Sequence, residues 1–405
     1  MNRTDFQCAN LNVPLDYSNK SDTRKASLAI IRIPAGGPGG DGIVNMAASA
    51  STVQPWDPRG TGQTLFFDCY ANNTDSDLSL TTFFNLASES DQAFACSWAE
   101  GDVRGNTCKE IRSDWGDYVG TAFTIRDTFS ILDNLGEGDK PNYWGVSYGT
   151  LLGNTAVNMF PDRMDRVILD GVLNPHEYYH TLEEPQQYAD TDEEWREFLR
   201  GCMKHPDTCA LAPLATSPED LEQKLNEILS KLAKSPCTIL NSLYYLTRYP
   251  SLAIIRAGVL TNDQASMITA NYGSRTGHPN VNDGSIRRQS LFGISCGDKI
   301  VCTDDQHRDV RAVAIYGEGT VRAYEGDFTA TTSQPVLIIG NTWDPVTPLV
   351  SAQNVSAGLE GNELLQHNGH GLLPCTSRYI AGYFVNGTLP KPGTKCERDN
   401  DLFVV

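Results

Sequence analysis

Gly145, Ser147 and Gly149 sit in a stretch that reads Tyr143, Trp144, Gly145, Val146, Ser147, Tyr148, Gly149, Thr150, Leu151 and Leu152. This pattern constrains the chain more than any other. A serine with a glycine two places to each side is the signature of a strand that turns sharply into a helix, with the hydroxyl pushed out at the apex. Glycine tolerates the backbone crowding of such an apex. Three fixed positions in five also arise by accident in long chains, so the surroundings must decide. Upstream, Ile125, Phe129, Leu132 and Leu135 recur at helical spacing, and Gly136 follows as a helix stop. Downstream, residues 150–160 are small and apolar, Pro161 ends them, and residues 166–170 read as a buried strand. Helix, strand, sharp turn, helix, strand is the order of a parallel α/β sheet. A Gly/Ser surface loop would have no reason to be framed in this way.

The chain has 405 residues, enough for one large α/β domain with an inserted subdomain. No apolar run approaches the roughly 18 residues of a membrane span. A formal charge of −18 argues against a nucleic-acid partner, because phosphate binding needs a basic face. Eleven cysteines, none arranged as CxxC and none beside an HExxH, are better explained by disulfides than by a metal site. Sequons at Asn2, Asn19, Asn72, Asn354 and Asn386 point with the cysteines to the secretory pathway and to a glycoprotein. The opening residues are polar and no signal-peptide h-region follows them, so secretion is inferred from the cysteines and sequons. No cofactor or metal is implied.

Taken in order, residues 13–17 and 27–33 read as an edge hairpin. The glycine-rich run at 36–42 stands where an oxyanion loop belongs, since glycines let backbone N–H groups approach a reacting carbonyl. Residues 52–56 read as a strand end, and Asp57 and Arg59 after it are expected to brace the active-site loops. Residues 67–118 form a polar excursion pinned by at least one disulfide among Cys69, Cys96 and Cys108. Residues 174–333 lack repeated strand-helix units and read as a mainly helical cap inserted between two core pieces, 1–173 and 334–405. Within the cap, Ser217 and Pro218 open a helix whose stripe is Leu221, Leu225, Ile228, Leu229 and Leu232, and Cys202 can bridge to Cys209. Glu183, Glu184, Asp190, Asp192, Glu193 and Glu194 read as a solvated face, one of which could meet a substrate ammonium. Strands are expected at 335–340 and 363–367, a helix capped by Thr347 from Pro348, a last helix over 377–385, and a tail stapled by Cys375 and Cys396.

A serine hydroxyl needs a base to activate it and a carboxylate to orient that base. Ser147, Asp344 and His370 occur in the order nucleophile, acid, base, each after a predicted strand, where open α/β sheets place their sites. His367 is the nearest rival base, but it falls within the strand end, whereas Gly369 and Gly371 flank His370 in a turn.

With these residues in view, the chain resembles the tripeptidyl-aminopeptidase-like branch of secreted α/β-hydrolase serine peptidases, relatives of proline iminopeptidase, and most of all fungal members. The matching stretches are 13–17, 36–42, 57–60, 143–152, 168–172, 335–348 and 369–371, with Cys375, Leu389, Pro390 and Cys396. The resemblance implies an α/β-hydrolase fold with a mostly parallel sheet and an inserted cap. It implies Ser147 as nucleophile, Asp344 as acid and His370 as base, with the N–H of Tyr148 and that of Gly37 or its neighbour Gly36 as the oxyanion hole. It also implies an exopeptidase acting on peptides with a free N-terminus, the cap anchoring the amine. Members usually carry a buried strand before the glycine-rich loop, but here Pro34 and Ala35 lead straight into Gly36, and residues 42–56 are short for a helix and a full strand. The N-terminal half is therefore expected to be shortened on its oxyanion side. Two alternatives stay open: an esterase with the same triad, and a hydrolase-like protein left inactive by a displaced oxyanion loop.

Overall fold

A computed structural model describes residues 7–32, 43–44, 56–70, 91–135, 140–181, 184–232, 253, 257, 294, 298, 324, 326–369 and 373–398. Among them the strands are β1 (Gln7–Pro14), β2 (Lys25–Arg32), β3 (Ile43–Val44), β4 (Asn142–Ser147), β5 (Val167–Val172), β6 (Ala330–Thr331), β7 (Leu337–Asn341), β8 (Leu359–Glu360), β9 (Glu363–Asn368) and β10 (Lys395–Glu397). The α-helices are α1 (Asp91–Ile111), α2 (Thr121–Leu135), α3 (Tyr148–Met159), α4 (Pro175–His180), α5 (Thr191–Lys204), α6 (Pro218–Leu232), α7 (Leu349–Gly358) and α8 (Pro374–Asn386).

The central sheet has the order β10-β9-β7-β5-β4-β3, and every neighbouring pair is parallel. Its inner strands β5 and β7 open on apolar, buried runs because helices cover both faces. Successive residues serve opposite sides. Leu169 and Ile338 join Phe129, Leu132, Leu152 and Val355 in one core, whereas Ile168, Leu337 and Ile339 join Ile380 and Tyr383 of α8 in the other. All parallel strands point their carboxyl ends the same way, so the loops after β4, β5, β7 and β9 meet along one edge. That edge is where Ser147 and Asp344 emerge.

The N-terminal half departs from the sequence expectation in two places. The hairpin is real, with β1 antiparallel to β2 from Gln7 opposite Arg32 to Pro14 opposite Lys25. Among the described residues, however, it forms a two-stranded sheet of its own, and a single antiparallel bridge between Ile30 and Trp56 joins it to residues 56–70. The strand beside β4 is the two-residue β3, and it comes after the glycine-rich run instead of before it. Ile43 lies opposite Asn142, so the chain enters β3 at the end of β4 remote from Ser147.

Arg59 also serves a different purpose from the one expected. Its guanidinium is fully buried, pairs with Asp127 of α2 at 2.6 Å, and donates to the carbonyls of Leu15 and Pro14 at 2.6 and 2.7 Å. It therefore ties the hairpin to α2, and its described partners do not include the turns of Ser147 and Asp344. The excursion is pinned as expected by Cys69–Cys108, while Cys96 is free and exposed; Cys202–Cys209 and Cys375–Cys396 are also formed. Three disulfides suit an oxidising environment. Among the described residues, no helix is long and apolar enough to cross a membrane.

Candidate active site

Ser147 has φ 55° and ψ −121°, between the last extended residues of β4 and the first turn of α3. A non-glycine residue in that region is strained and persists only where its surroundings over-determine it. Those surroundings can be named. A Cβ on Gly145 would come within 2.2 Å of the Gly149 carbonyl oxygen, so only glycine fits there. Gly149 is different: a Cβ would meet nothing nearer than the Tyr143 hydroxyl at 3.5 Å, an ordinary contact. It is the Gly149 carbonyl that does the crowding, and the Tyr143 hydroxyl holds it with a 2.6 Å bond. Gly153, which the sequence reading passed over, completes a four-residue spacing, since a Cβ there would lie 2.5 Å from the Tyr143 ring. Thr150 locks the turn by donating to the Ser147 carbonyl at 2.6 Å while accepting from the Leu173 N–H at 3.0 Å.

Tyr148 is the first residue of α3, and the first four N–H groups of a helix have no partner within it. Its N–H therefore lies at the positive end of the helix dipole, directly beside the strained serine. Its phenol bonds the Thr121 hydroxyl at 2.6 Å.

Asp344 lies in the turn after β7. Its Oδ1 accepts the N–H groups of Val346 and Thr347 at 2.9 and 2.7 Å, which fixes the carboxylate. Gly171, at φ 64° near the end of β5, lies between the two loops: a Cβ there would be 3.9 Å from the Ser147 nitrogen and 3.2 Å from the Thr347 hydroxyl. The nucleophile turn and the acid turn thus face each other across one strand. The helix after the acid begins at Leu349 with Pro348, not Thr347, in the cap position. The Leu349 N–H instead meets Asp190 at 3.3 Å, from 159 residues earlier in the chain.

His370 falls outside the described residues, as do Gly36 and Gly37. The strand that leads to it lies within them: β9 runs beside β7 with His367 opposite Asn341, and the Gly369 N–H reaches the Asn341 side chain at 3.4 Å. His367 itself is 5% exposed and its Nδ1 is 2.8 Å from the Thr376 hydroxyl of α8, which makes the rival base a core histidine. A hollow of about 180 Å³ opens beside these loops, lined by Thr342, Trp343 and Gly369 and by Glu194 and Glu197 of α5.

The structure adds residues that the sequence reading missed. Asp170, at the end of β5, has its carboxyl pushed up to about 6. Burial does most of this. The Trp144 indole N–H lowers it in part without reaching hydrogen-bond geometry, and the Asp344 charge raises it further. Glu194 is fully buried, so it does not belong to the solvated face assigned to it, while Glu193 is half-exposed and bonded to Arg196 and Arg200. Asp298, 1% exposed, accepts from Thr121. A carboxylate after an apolar strand, as in Asp170, was the one legible signal among these.

A parallel sheet with a strained serine between strand and helix, and an acid on a turn two strands away along the same edge, define the class: the chain has the α/β-hydrolase fold. Residues 318–396 match the family model described as TAP-like protein. The chain is 24% identical to "Serine protease Hip1" of Mycobacterium tuberculosis, covering 96% of this chain and 87% of that one. It is 29% identical to "Tripeptidyl aminopeptidase" of Streptomyces lividans, covering 48% of this chain and 41% of the relative, and 23% identical to "Carboxylesterase B" of Mycobacterium tuberculosis, covering 96% and 86%. The Hip1 alignment runs over 467 positions, more than the 405 residues present here, so that relative carries residues with no counterpart in this chain. Among solved structures, the esterase EaEST from Exiguobacterium antarcticum superposes with a TM-score of 0.36 at 10% identity, over 89% of this chain and 95% of that one. At that level the fold assignment rests on the strand order.

Proposed function

We propose that this protein is a secreted serine exopeptidase that releases short peptides or single amino acids from the N-termini of peptides. The observation that carries the reading is the backbone of Ser147, held at φ 55° at the mouth of α3. Strain of this kind, fixed by Gly145 and the Tyr143 bond, presents a hydroxyl for attack. In this reading Ser147 attacks the scissile carbonyl and passes its proton to His370, which Asp344 holds in the required tautomer. The Tyr148 N–H, with that of Gly37 or Gly36, receives the developing oxyanion. Collapse expels the amine leaving group with the proton from His370, and water then hydrolyses the acyl-enzyme. Residues 174–333 form the cap over core pieces 1–173 and 334–405.

The names of the relatives support peptide substrates and a free N-terminus. One relative of equal coverage is named a carboxylesterase, which favours an ester hydrolase as the second reading. Fluorophosphonate labelling of purified protein, with the labelled residue located by mass spectrometry, tests the nucleophile. Label at Ser147 is expected, and Ser147→Ala is expected to lose label and to lower kcat by several powers of ten, about 10⁶. Near-normal turnover in that variant would sink the assignment. Aminoacyl substrates with free and blocked amines, beside simple esters, separate the two readings, because an exopeptidase loses activity when the amine is blocked.

A further inference from the structure

We propose that Asp298 is a positioning residue of the nucleophile turn, acting on Tyr148 through Thr121; the proposal rests on the reading of Ser147 as nucleophile. Asp298 belongs to the 174–333 insertion, and Thr121 and Tyr148 to the sheet core. The Asp298 carboxylate lies at the N-terminus of α2, where it accepts the Thr121 N–H at 2.6 Å and the Thr121 hydroxyl at 2.5 Å. The Tyr178 hydroxyl of α4 donates to it at 3.3 Å. Thr121 in turn lies 2.6 Å from the Tyr148 hydroxyl.

The chemistry sets the direction of every proton in this row. A carboxylate at the end can only accept, so the Thr121 hydroxyl donates to it. Having spent its one proton there, Thr121 can only accept from Tyr148. Burial, and then the charge of Asp298, push the Tyr148 phenol well above its ordinary range, so it keeps the proton it must donate. Hydrogen bonds arranged head to tail in a buried site polarise and strengthen one another. The ring of Tyr148 is thereby held to the N-terminus of α2, and its own N–H stays at the mouth of α3. Capping α2 does not by itself require a charge, since a neutral acceptor would bond the Thr121 N–H as well. What a carboxylate adds is a fixed order of donors.

The test compares second-order rates of fluorophosphonate labelling at Ser147, and kcat and KM on a free-amine substrate, for folded wild type and variants. Asp298→Asn keeps the shape but can donate to Thr121 and reverse the row. It is expected to slow labelling and kcat about ten- to hundred-fold while leaving KM in place. Tyr148→Phe and Thr121→Val are expected to do the same, Thr121→Ser to restore the rate, and Asp298→Asn with Tyr148→Phe to be no slower than the slower single variant. A purely structural role would lower thermal stability without changing the rate per folded molecule. The proposal is overturned if folded Asp298→Asn and Tyr148→Phe label at the wild-type rate. It also fails if their effects multiply in the double variant, or if Thr121→Ser is as slow as Thr121→Val. A wild type that does not label overturns the reading of Ser147, and this proposal with it.

Discussion

The two glycines that flank Ser147 look alike in the sequence and do different work. At Gly145 an added methyl would strike the backbone carbonyl of Gly149 at 2.2 Å, and neither atom can step aside without undoing the turn. At Gly149 the nearest atom is a tyrosine hydroxyl at 3.5 Å, and the residue is helical. Gly145→Ala is therefore expected to prevent accumulation of folded protein, whereas Gly149→Ala is expected to fold and to gain up to about 1 kcal/mol from helix propensity. Circular dichroism melts of the two variants check this, and an unfolded Gly149→Ala would contradict it. Asp170 gives a second prediction. Its folded pKa of about 6 exceeds the ordinary 3.8, so the folded state holds the proton more tightly. Stability should fall as pH rises between these values, and above about pH 6 the part-buried charge costs up to the order of 2–3 kcal/mol. Asp170→Asn should then raise Tm at about pH 8 and leave it unchanged at about pH 4. Equal shifts at both values would mean that the charge is not the cause.

At the scale of elements, legibility followed how local the signal is. β4, α3, β5, β7 and β9 could be read because apolar residues and glycine or proline stops lie within or beside each segment. The 21-residue α1 could not, because Asp91, Glu100, Asp102, Arg104, Lys109 and Glu110 leave it no clear apolar stripe. It is tied to the fold by Cys108, bonded to Cys69. The start of α7 was misplaced by one residue because its N-terminal acceptor is Asp190, which no local pattern could reveal. The same limit hid Asp298 and Thr121, 177 residues apart. The tail was legible, and its staple has a measurable consequence. Cys375–Cys396 closes a loop with a separation of 21 residues, so Cys375→Ser with Cys396→Ser should lower unfolding stability by about 3 kcal/mol in urea. A loss near zero would mean that packing of Ile380 and Tyr383 against Ile168 and Leu337 suffices to hold α8.

Across the whole molecule, the hairpin stands apart from the central sheet and must be held by something else. A lone two-stranded hairpin is marginal in water, and its one described bridge to a later segment is Ile30 with Trp56. Val13, Ala26, Leu28 and Ile30 bury an apolar face in the larger core, but the specific tie is polar. Arg59 joins the carbonyls of Leu15 and Pro14 to Asp127, and Tyr17 donates to the same carboxylate at 2.7 Å. With both ionic side chains at 0% exposure, removing one partner strands a charge in the core. Arg59→Met should thus cost about 3–5 kcal/mol, and adding Asp127→Leu should recover part of the loss because no charge is left unpaired. Urea denaturation of the single and double variants measures both numbers. Trypsin offers an independent view, since Lys20, Arg24 and Lys25 all lie exposed in and beside the hairpin turn. Cleavage there should quicken in Arg59→Met and slow again in the double variant. If trypsin rates do not follow the urea series, the apolar face alone anchors the hairpin, and the Arg59 knot does no more than satisfy its own buried charges.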